Sequence, residues 1–590
     1  MDQANRLSIA IARAAALFCA AALLGISGCW DSDQGAADYP ADVVFENGTV
    51  YTVDPTLEWA RAVAVKDKRI VYVGDDAGVA AYKGPNTRVV DLAGRMLLPG
   101  FIEGHTHALF GAVATRGVDL QFNTREATLE ALRQYADSKP DRGLIDGLIR
   151  GFGWRSSAFP ASGPDKADLD AIWPDVPVLL IAVDGHSGWV NSKALQIAGI
   201  NASNAVVVKG FSYFYQACPT CEPTGYIVEA PAIGLLTSKV APYTHQFLVE
   251  SLEGWVPNAA AVGITGIFDA GIAVTSSEEG YAIYADLERR GKLPFRIVGS
   301  LYHNNPLVDP LPEFQQLRDK YHSELIQVTT LKVTMDGVDE NYSAAMLTHY
   351  DDKPETSGET LFSAQQTNDL IRAADLKGID VHVHAIGDLA ARQTLDAIAA
   401  AIVVNPARDR RHTIAHNQLT DPADLPRFAQ LGVIAQFSGQ WHCRDGQYWS
   451  DITAKRWGVE RASRQYRIAE ILRLGGRVSL GTDWPAGSNS SVYAPLHAIQ
   501  IAVTRQELDK PADPPLPPES DRLSLAQALH ANTMGSAYHM RIDDKVGSIT
   551  VGKLADLIVL KRNLFAIDLH DIAATPVDMT VMNGRFTHGD

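Results

Sequence analysis

Two histidines separated by one residue, His105-Thr106-His107, end an apolar stretch that begins at Leu97. In a strand, residues two apart face the same side, so both imidazoles project together where the strand stops. Neutral imidazole is a ligand for zinc and related divalent metals, and the C-terminal rim of a parallel barrel is where that fold keeps its chemistry. Further along, three other apolar runs end in His384, His416 and Asp483. Four histidines and an aspartate on one rim make a nitrogen and oxygen donor set. A carboxylate beside a bound metal can take a proton from water that the metal has acidified.

These residues need a scaffold that delivers strand ends to one place. Short apolar runs alternate with amphipathic helical text such as Ser363 to Lys377 and Ala390 to Val403, a pattern of βα units and a parallel sheet. Nine runs are found, at Leu97–Ile102, Val178–Val183, Ile264–Asp269, Arg296–Tyr302, Thr330–Met335, Val381–His384, Thr413–His416, Val433–Phe437 and Val478–Thr482. An eight-stranded barrel has one too many. Roughly 160 residues separate the first run from Ile264, far beyond an ordinary βα connection, so about Leu109 to Pro257 is assigned to an insertion that carries the run at Val178. The eight remaining strands end at His105/His107, Asp269, His303, Asp336, His384, His416, Gln436 and Asp483.

The flanks are β-rich. Asp42 to Val53, with Asn47-Gly48 as a hairpin turn, Ala62 to Val65 and Arg69 to Gly74 read as strands, as do Lys545–Ile549, Ala555–Leu560 and Thr580–Arg585 near the end. The expected architecture is therefore α/β: a (β/α)8 TIM-like barrel over 99–539, a large insertion at about 109–257 after its first strand, and a small β-sandwich from 41–98 plus 540–590. Pro511 to Pro518 reads as an extended loop.

At 590 residues and 46% hydrophobic content the chain can bury a large core. Its net charge of −17 makes nucleic acid and anionic membrane surfaces poor partners. Arg6 and Arg13 precede an alanine-rich apolar stretch, and Ile26-Ser27-Gly28-Cys29 follows it. This segment resembles a bacterial lipoprotein leader. The resemblance implies a signal peptide at 1–28, lipidation of Cys29, a tether at 29–40, and a periplasm-facing chain held at the cell envelope by lipid alone. Of the remaining cysteines, Cys218-Pro-Thr-Cys221 could close a tight disulfide, leaving Cys443 free. The rival, half of a zinc knuckle, lacks a second cysteine pair.

The text Leu98-Pro-Gly-Phe-Ile-Glu-Gly-His-Thr-His107, Asp184-Gly-His-Ser-Gly-Trp-Val-Asn-Ser-Lys-Ala194, Pro223-Thr-Gly225, Lys332-Val-Thr-Met-Asp-Gly337, His382-Val-His-Ala-Ile-Gly-Asp388, Ile414-Ala-His416, Gly481-Thr-Asp-Trp-Pro485 and Val546 to Asp556 resembles the metal-dependent amidohydrolases. Within them it is similar to amidohydrolase family 3, with its N-substituted formamide deformylase-like and D-aminoacylase-like members. The resemblance spans about Ala41 to the end. It implies that His105 and His107 hold the more buried metal and that His384 and His416 hold a second, or help hold the first. Asp483 would be a ligand, general base and then general acid, and His186 would orient the substrate carbonyl. It also implies a carboxylated Lys332 bridging two metals; pairing of Lys332 with Asp336 is the alternative, since an unmodified ammonium cannot ligate. His382, two residues before His384, could face the barrel interior with it; His384 is taken as the ligand because Gly387-Asp388 follow it.

The expected cofactor is a divalent metal, zinc by donor type, one or two per chain. The expected partner is a small-molecule substrate, with a homodimer as the assembly to test. The expected reaction is hydrolysis of the C–N bond of an N-acyl or N-formyl compound by metal-bound hydroxide. A cyclic amide, a deaminated ring or an ester fits the same site, and a non-catalytic binding lipoprotein is the reading from another class. Phe211 to Tyr215 and Trp441 are aromatic candidates for a pocket wall.

Overall fold

The computed structural model describes residues 40–240, 243–446, 448–487 and 493–589; the leader, Cys29 and all but the last residue of the tether lie outside them. Among the described residues no helix is long and apolar enough to cross a membrane. The centre is a parallel eight-stranded sheet curled into a TIM-like barrel. Its strands are β1 (Phe101–Thr106), β2 (Ile264–Asp269), β3 (Arg296–His303), β4 (Ile326–Thr334), β5 (Asp380–Ala385), β6 (Thr413–His416), β7 (Ile434–Ser438) and β8 (Arg477–Gly481), paired in that order. Both faces of these strands are covered, one by helices and the other by interior side chains, so they read as continuous apolar runs. The helix Ala364–Leu376 shows how locally the chain is encoded: Ser363 and Gln366 form a reciprocal capping box at its start.

The apolar run at Leu97 serves two sheets. Met96–Pro99 is a strand of the terminal sandwich, antiparallel to Leu557–Leu560, and β1 starts only after Gly100. At that break the Gly100 N–H donates to the carbonyl of Asp556, and a Cβ on Gly100 would lie 2.2 Å from Thr265 Oγ1. Asn47-Gly48 likewise makes no hairpin. Val43–Glu46 belongs to a four-stranded sheet and Thr49–Tyr51 to the six-stranded sheet facing it, so the turn passes the chain between layers. Val43, Phe45, Val63, Leu97, Leu557 and Val559 fill the space between the two sheets. The Lys545–Ile549 stretch is loop rather than strand, and Met96–Pro99 is the strand that pairs with Leu557–Leu560.

The insertion folds around a seven-stranded mixed sheet that includes Val178–Ala182, Ser187–Val190, Ser212–Ala217 and Glu222–Val228. It returns to the barrel through the helix His245–Ala261, which continues past Pro257 and stacks Trp255 on Trp484 just beyond β8, ring centroids 4.8 Å apart. Cys218 and Cys221 are disulfide-bonded and Cys443 is a free buried thiol. The disulfide closes one end of a hairpin whose other end leads to Glu229. The seven residues between them span about 23 Å at strand rise, so the bond braces the hairpin tip and not a loop over the site. Phe211 and Phe214 of the aromatic stretch are packed in cores.

The sandwich is fastened to the base of the barrel by a buried ion pair. Arg296, the first residue of β3, donates from Nε to Asp556 at 2.9 Å, and its other nitrogen reaches Asn583. Both charged side chains are 5% exposed or less. Removing one partner strands the other charge in a dry interface, at a cost of about 3–5 kcal/mol. Arg296→Ala should therefore lower unfolding stability by about that amount in denaturant titration. Lys68→Ala, which breaks the half-exposed Lys68–Glu324 pair nearby, should cost less than about 1 kcal/mol.

Candidate metal centre

The ends of β1, β5, β6 and β8 meet at one rim. His105 and His107 face Asp483, with Asp483 Oδ1 at 3.3 Å from His105 Nε2 and 3.6 Å from His107 Nε2. His416 Nδ1 lies 3.6 Å from the other oxygen, Oδ2. His384 stands edge-on to His416, ring centroids 4.5 Å apart. Donor atoms of His105, His416 and Asp483 all fall within 4.8 Å of one another. His416 and Asp483 adopt left-handed backbone, φ 72° and 59°, in which non-glycine residues are strained. The chain bends sharply there to aim both side chains inward.

Two observations fit this cluster to a metal. First, His384 Nε2, His416 Nδ1 and Asp483 Oδ1 are buried without a hydrogen-bond partner, an arrangement that costs free energy unless something binds those lone pairs. Second, the imidazoles are neutral. Burial, joined by the neighbouring charge of Lys332 and by other imidazoles, drives His105, His384 and His416 far below the ordinary histidine value and His107 to about 3. Neutral nitrogen and carboxylate oxygen donors suit zinc or a similar ion. His105 is oriented from behind, its Nδ1 lying 3.1 Å from Gln436 Oε1 and 2.9 Å from His382 Nε2; His107 Nδ1 lies 3.1 Å from the carbonyl of Gly271. Outer contacts of this kind set which nitrogen of a ligating histidine is free.

The pattern described as "Amidohydrolase family" matches residues 88–588. The chain belongs to the amidohydrolase family. It is 29% identical over 561 residues to the protein LONG AFTER FAR-RED 3 of Arabidopsis thaliana, covering 92% of this chain and 91% of that one. It is 27% identical over 536 residues to N-substituted formamide deformylase of Arthrobacter pascens, covering 88% and 94%. In fold it is similar to an uncharacterized metal-dependent hydrolase from Pyrococcus furiosus, with a TM-score of 0.65, 24% identity, and coverage of 88% and 99%. Family and donor set together make this amidohydrolase a metal-dependent hydrolase.

Lys332 lies inside the cluster, Nζ 3.2 Å from His105 Nε2. Burial pulls its ammonium down to about 7 despite the opposing charge of Asp483, and burial raises Asp483 to about 7 against Lys332 and His186. The alternative partner, Asp336, is engaged elsewhere: it accepts from the backbone N–H groups of Ala345, Ile386 and Gly387 at 2.8–3.0 Å. His186 comes from the insertion, on the turn between Val178–Ala182 and Ser187–Val190. Its Nδ1 meets Glu229 Oε2 at 2.5 Å, and its ring lies 5.2 Å from that of His384. Burial works against its charge, but the Glu229 carboxylate prevails and lifts it to about 9.

Glu229, Gln436 and His382 belong to the site but were not assigned a role from sequence. His382 shares a face with His384, as the two-residue period requires, yet sits one layer deeper, between His105 and His539, stacked on Phe268. Period two had placed both inside; only depth separates ligand position from support. Glu229 follows Pro223-Thr-Gly225 by four residues and carried no local mark of its partner. Trp441 does stand at the site, parallel to His416 with centroids 5.2 Å apart.

Because His186 is raised, the stability it adds is complete below the ordinary histidine value of 6.5 and is lost as pH climbs through about 9. Glu229→Gln removes the nearest of the carboxylates that raise it, leaving the weaker pull of Asp184 and Asp483 against burial. Histidine NMR titration should then show the His186 pKa falling from about 9; a ring still titrating near 9 would reassign its charge to another partner.

Proposed function

We propose that this amidohydrolase cleaves the C–N bond of an amide-like small molecule, an N-acyl or N-formyl compound. The observation that carries the reading is the placement of Asp483: a buried carboxylate whose Oδ1, without a hydrogen-bond partner, lies 3.3 Å from His105 Nε2 and 3.6 Å from His107 Nε2, with His416 beside its other oxygen. His105, His107, His384, His416 and Asp483 would hold the metal. A divalent ion there, zinc by donor type, supplies a Lewis acid and an acidified water. His107, His384, His416 and Asp483 open onto a pocket of about 570 Å³, open space included, also lined by His186, Lys332 and Tyr302.

The protein's own groups handle the protons. With a pKa near neutrality, Asp483 can accept a proton at Oδ1 and return it to the leaving nitrogen, as base and then acid. His186, charged at neutral pH, has Nδ1 held by Glu229, so Nε2 is the nitrogen left to donate to the substrate oxygen as negative charge develops. Burial of the cluster keeps bulk water from screening these interactions.

We further propose that Lys332 is carboxylated, which would give it the oxygen donors to help hold two metals. Burial favours the neutral amine, whose nitrogen can bond the carbon of carbon dioxide and lose one N–H proton to form the carbamate. Supporting this, an ammonium 3.2 Å from a ligand nitrogen would repel the ion.

Asp483→Asn should keep the fold and part of the metal while lowering turnover of amide substrates by about 10²–10⁴-fold; near-normal kcat would remove Asp483 as the base. Elemental analysis should find two metals per chain, falling to one or fewer in Lys332→Ala. About one in both proteins would make Lys332 structural and the centre mononuclear.

A further inference from the structure

A second chamber adjoins the metal pocket. It encloses about 1400 Å³ counting its open mouth, and Phe110, Gly185, Ala230, Ala273 and Tyr302 line both spaces. One wall is the insertion, with Ile181 from the strand Val178–Ala182 and Ile233 from the helix Ala230–Val240. The opposite wall is the loop after β2, with Ile272 and Val274. The two hydroxyls that the helix contributes are turned away from substrate. Thr237 donates to the carbonyl of Ile233 and Ser238 to that of Leu235, each at 2.9 Å. The chamber's carboxylate, Glu279, is hydrogen-bonded by Thr275 and lies 3.4 Å from His245. What faces the space beside the metal centre is therefore mainly hydrocarbon.

We propose that this chamber holds an apolar alkyl or aryl arm of the substrate whose C–N bond lies at the metal centre. The proposal rests on the hydrolase reading and narrows it to amides with one substantial apolar substituent. Adjacency is the argument: five residues line both spaces, so an arm extending from a carbonyl held at His186 and Asp483 meets the chamber beside Phe110 and Tyr302. An apolar arm there leaves water for a preformed apolar surface, whereas a charged or strongly hydrated one would lose its solvent without compensation. Gly234 marks the space. It is a helical residue lining the chamber, and a Cβ built on it meets nothing within 4 Å. Gly234 is exposed at the chamber's open side, so a large side chain there has room to narrow the mouth, and it improves helix propensity.

The test uses the metal-loaded full chain and two homologous series, N-alkylformamides and N-methylalkanamides, from methyl to octyl. In one series kcat/KM should rise about fourfold per methylene until the chamber is full, and Gly234→Phe should flatten that rise. Calorimetric binding of alkanohydroxamates, which chelate metal and carry the same arms, should tighten by a similar factor with a negative heat-capacity change. Turnover of short amides with flat dependence on arm length in both series overturns the chamber and leaves the hydrolase reading standing. Hydroxamate affinity that climbs with the arm, without turnover of any amide, supports the chamber and overturns amide cleavage. The wild-type length dependence decides even if Gly234→Phe does not fold.

Discussion

At the seam between β1 and β8, segments nearly 380 residues apart in the chain exchange hydrogen bonds that hold the barrel shut. The backbone N–H of Asp483 donates to the carbonyl of His105, and that of His107 to the carbonyl of Trp484, both at 2.8 Å. The Glu103 carboxylate accepts the N–H and the hydroxyl of Thr482 at 2.8 and 2.6 Å. Glycine permits this closeness: a Cβ on Gly481 would lie 2.6 Å from the His105 nitrogen, and one on Gly104 would lie 2.2 Å from Ser479 Oγ. Closing the barrel and presenting His105 and His107 to Asp483 are one event. Every feature of the metal centre depends on it.

The same closure sets the electrostatics. A water-poor interior disfavours charge, so the histidines at the rim stay neutral and keep the lone pairs a cation requires, while Lys332 and Asp483 move toward neutrality from opposite sides. His186 is also buried yet remains charged because Glu229 lies against it. Two neighbouring environments thus hold ordinary side chains in opposite charge states.

The peripheral parts divide the remaining work. The insertion brings His186 and Glu229 and one wall of the apolar chamber, and its return helix packs Trp255 on Trp484 beside the seam. The sandwich grips the opposite end of the barrel through Arg296 and Asp556. The candidate metal centre and its pocket are therefore gathered at one rim, and structural fastening at the other, the arrangement usual in parallel barrels.

Much of this was legible from local pattern. A two-residue period fixes which side chains of a strand share a face, so His105 with His107, and His382 with His384, declare themselves without any tertiary information. Apolar runs separated by helical text declare eight parallel strands, and Ser363 with Gln366 declares a helix start. Period says nothing of depth or of partners from elsewhere in the chain. That His384 reaches the rim while His382 supports His105, that Asp336 is spent on three backbone N–H groups, and that His186 is charged by Glu229 depend on contacts across the barrel and insertion. Gly100 and Asn47-Gly48 show the same limit: an apolar run or a turn pair encodes local conformation, but neighbouring sheets decide where a strand breaks and which layer it joins. Sequence alone determined the candidate donor types, their faces and the barrel that carries them. Tertiary structure decided their depth, their charge and the chamber beside them, because those follow from which distant segments exclude water together.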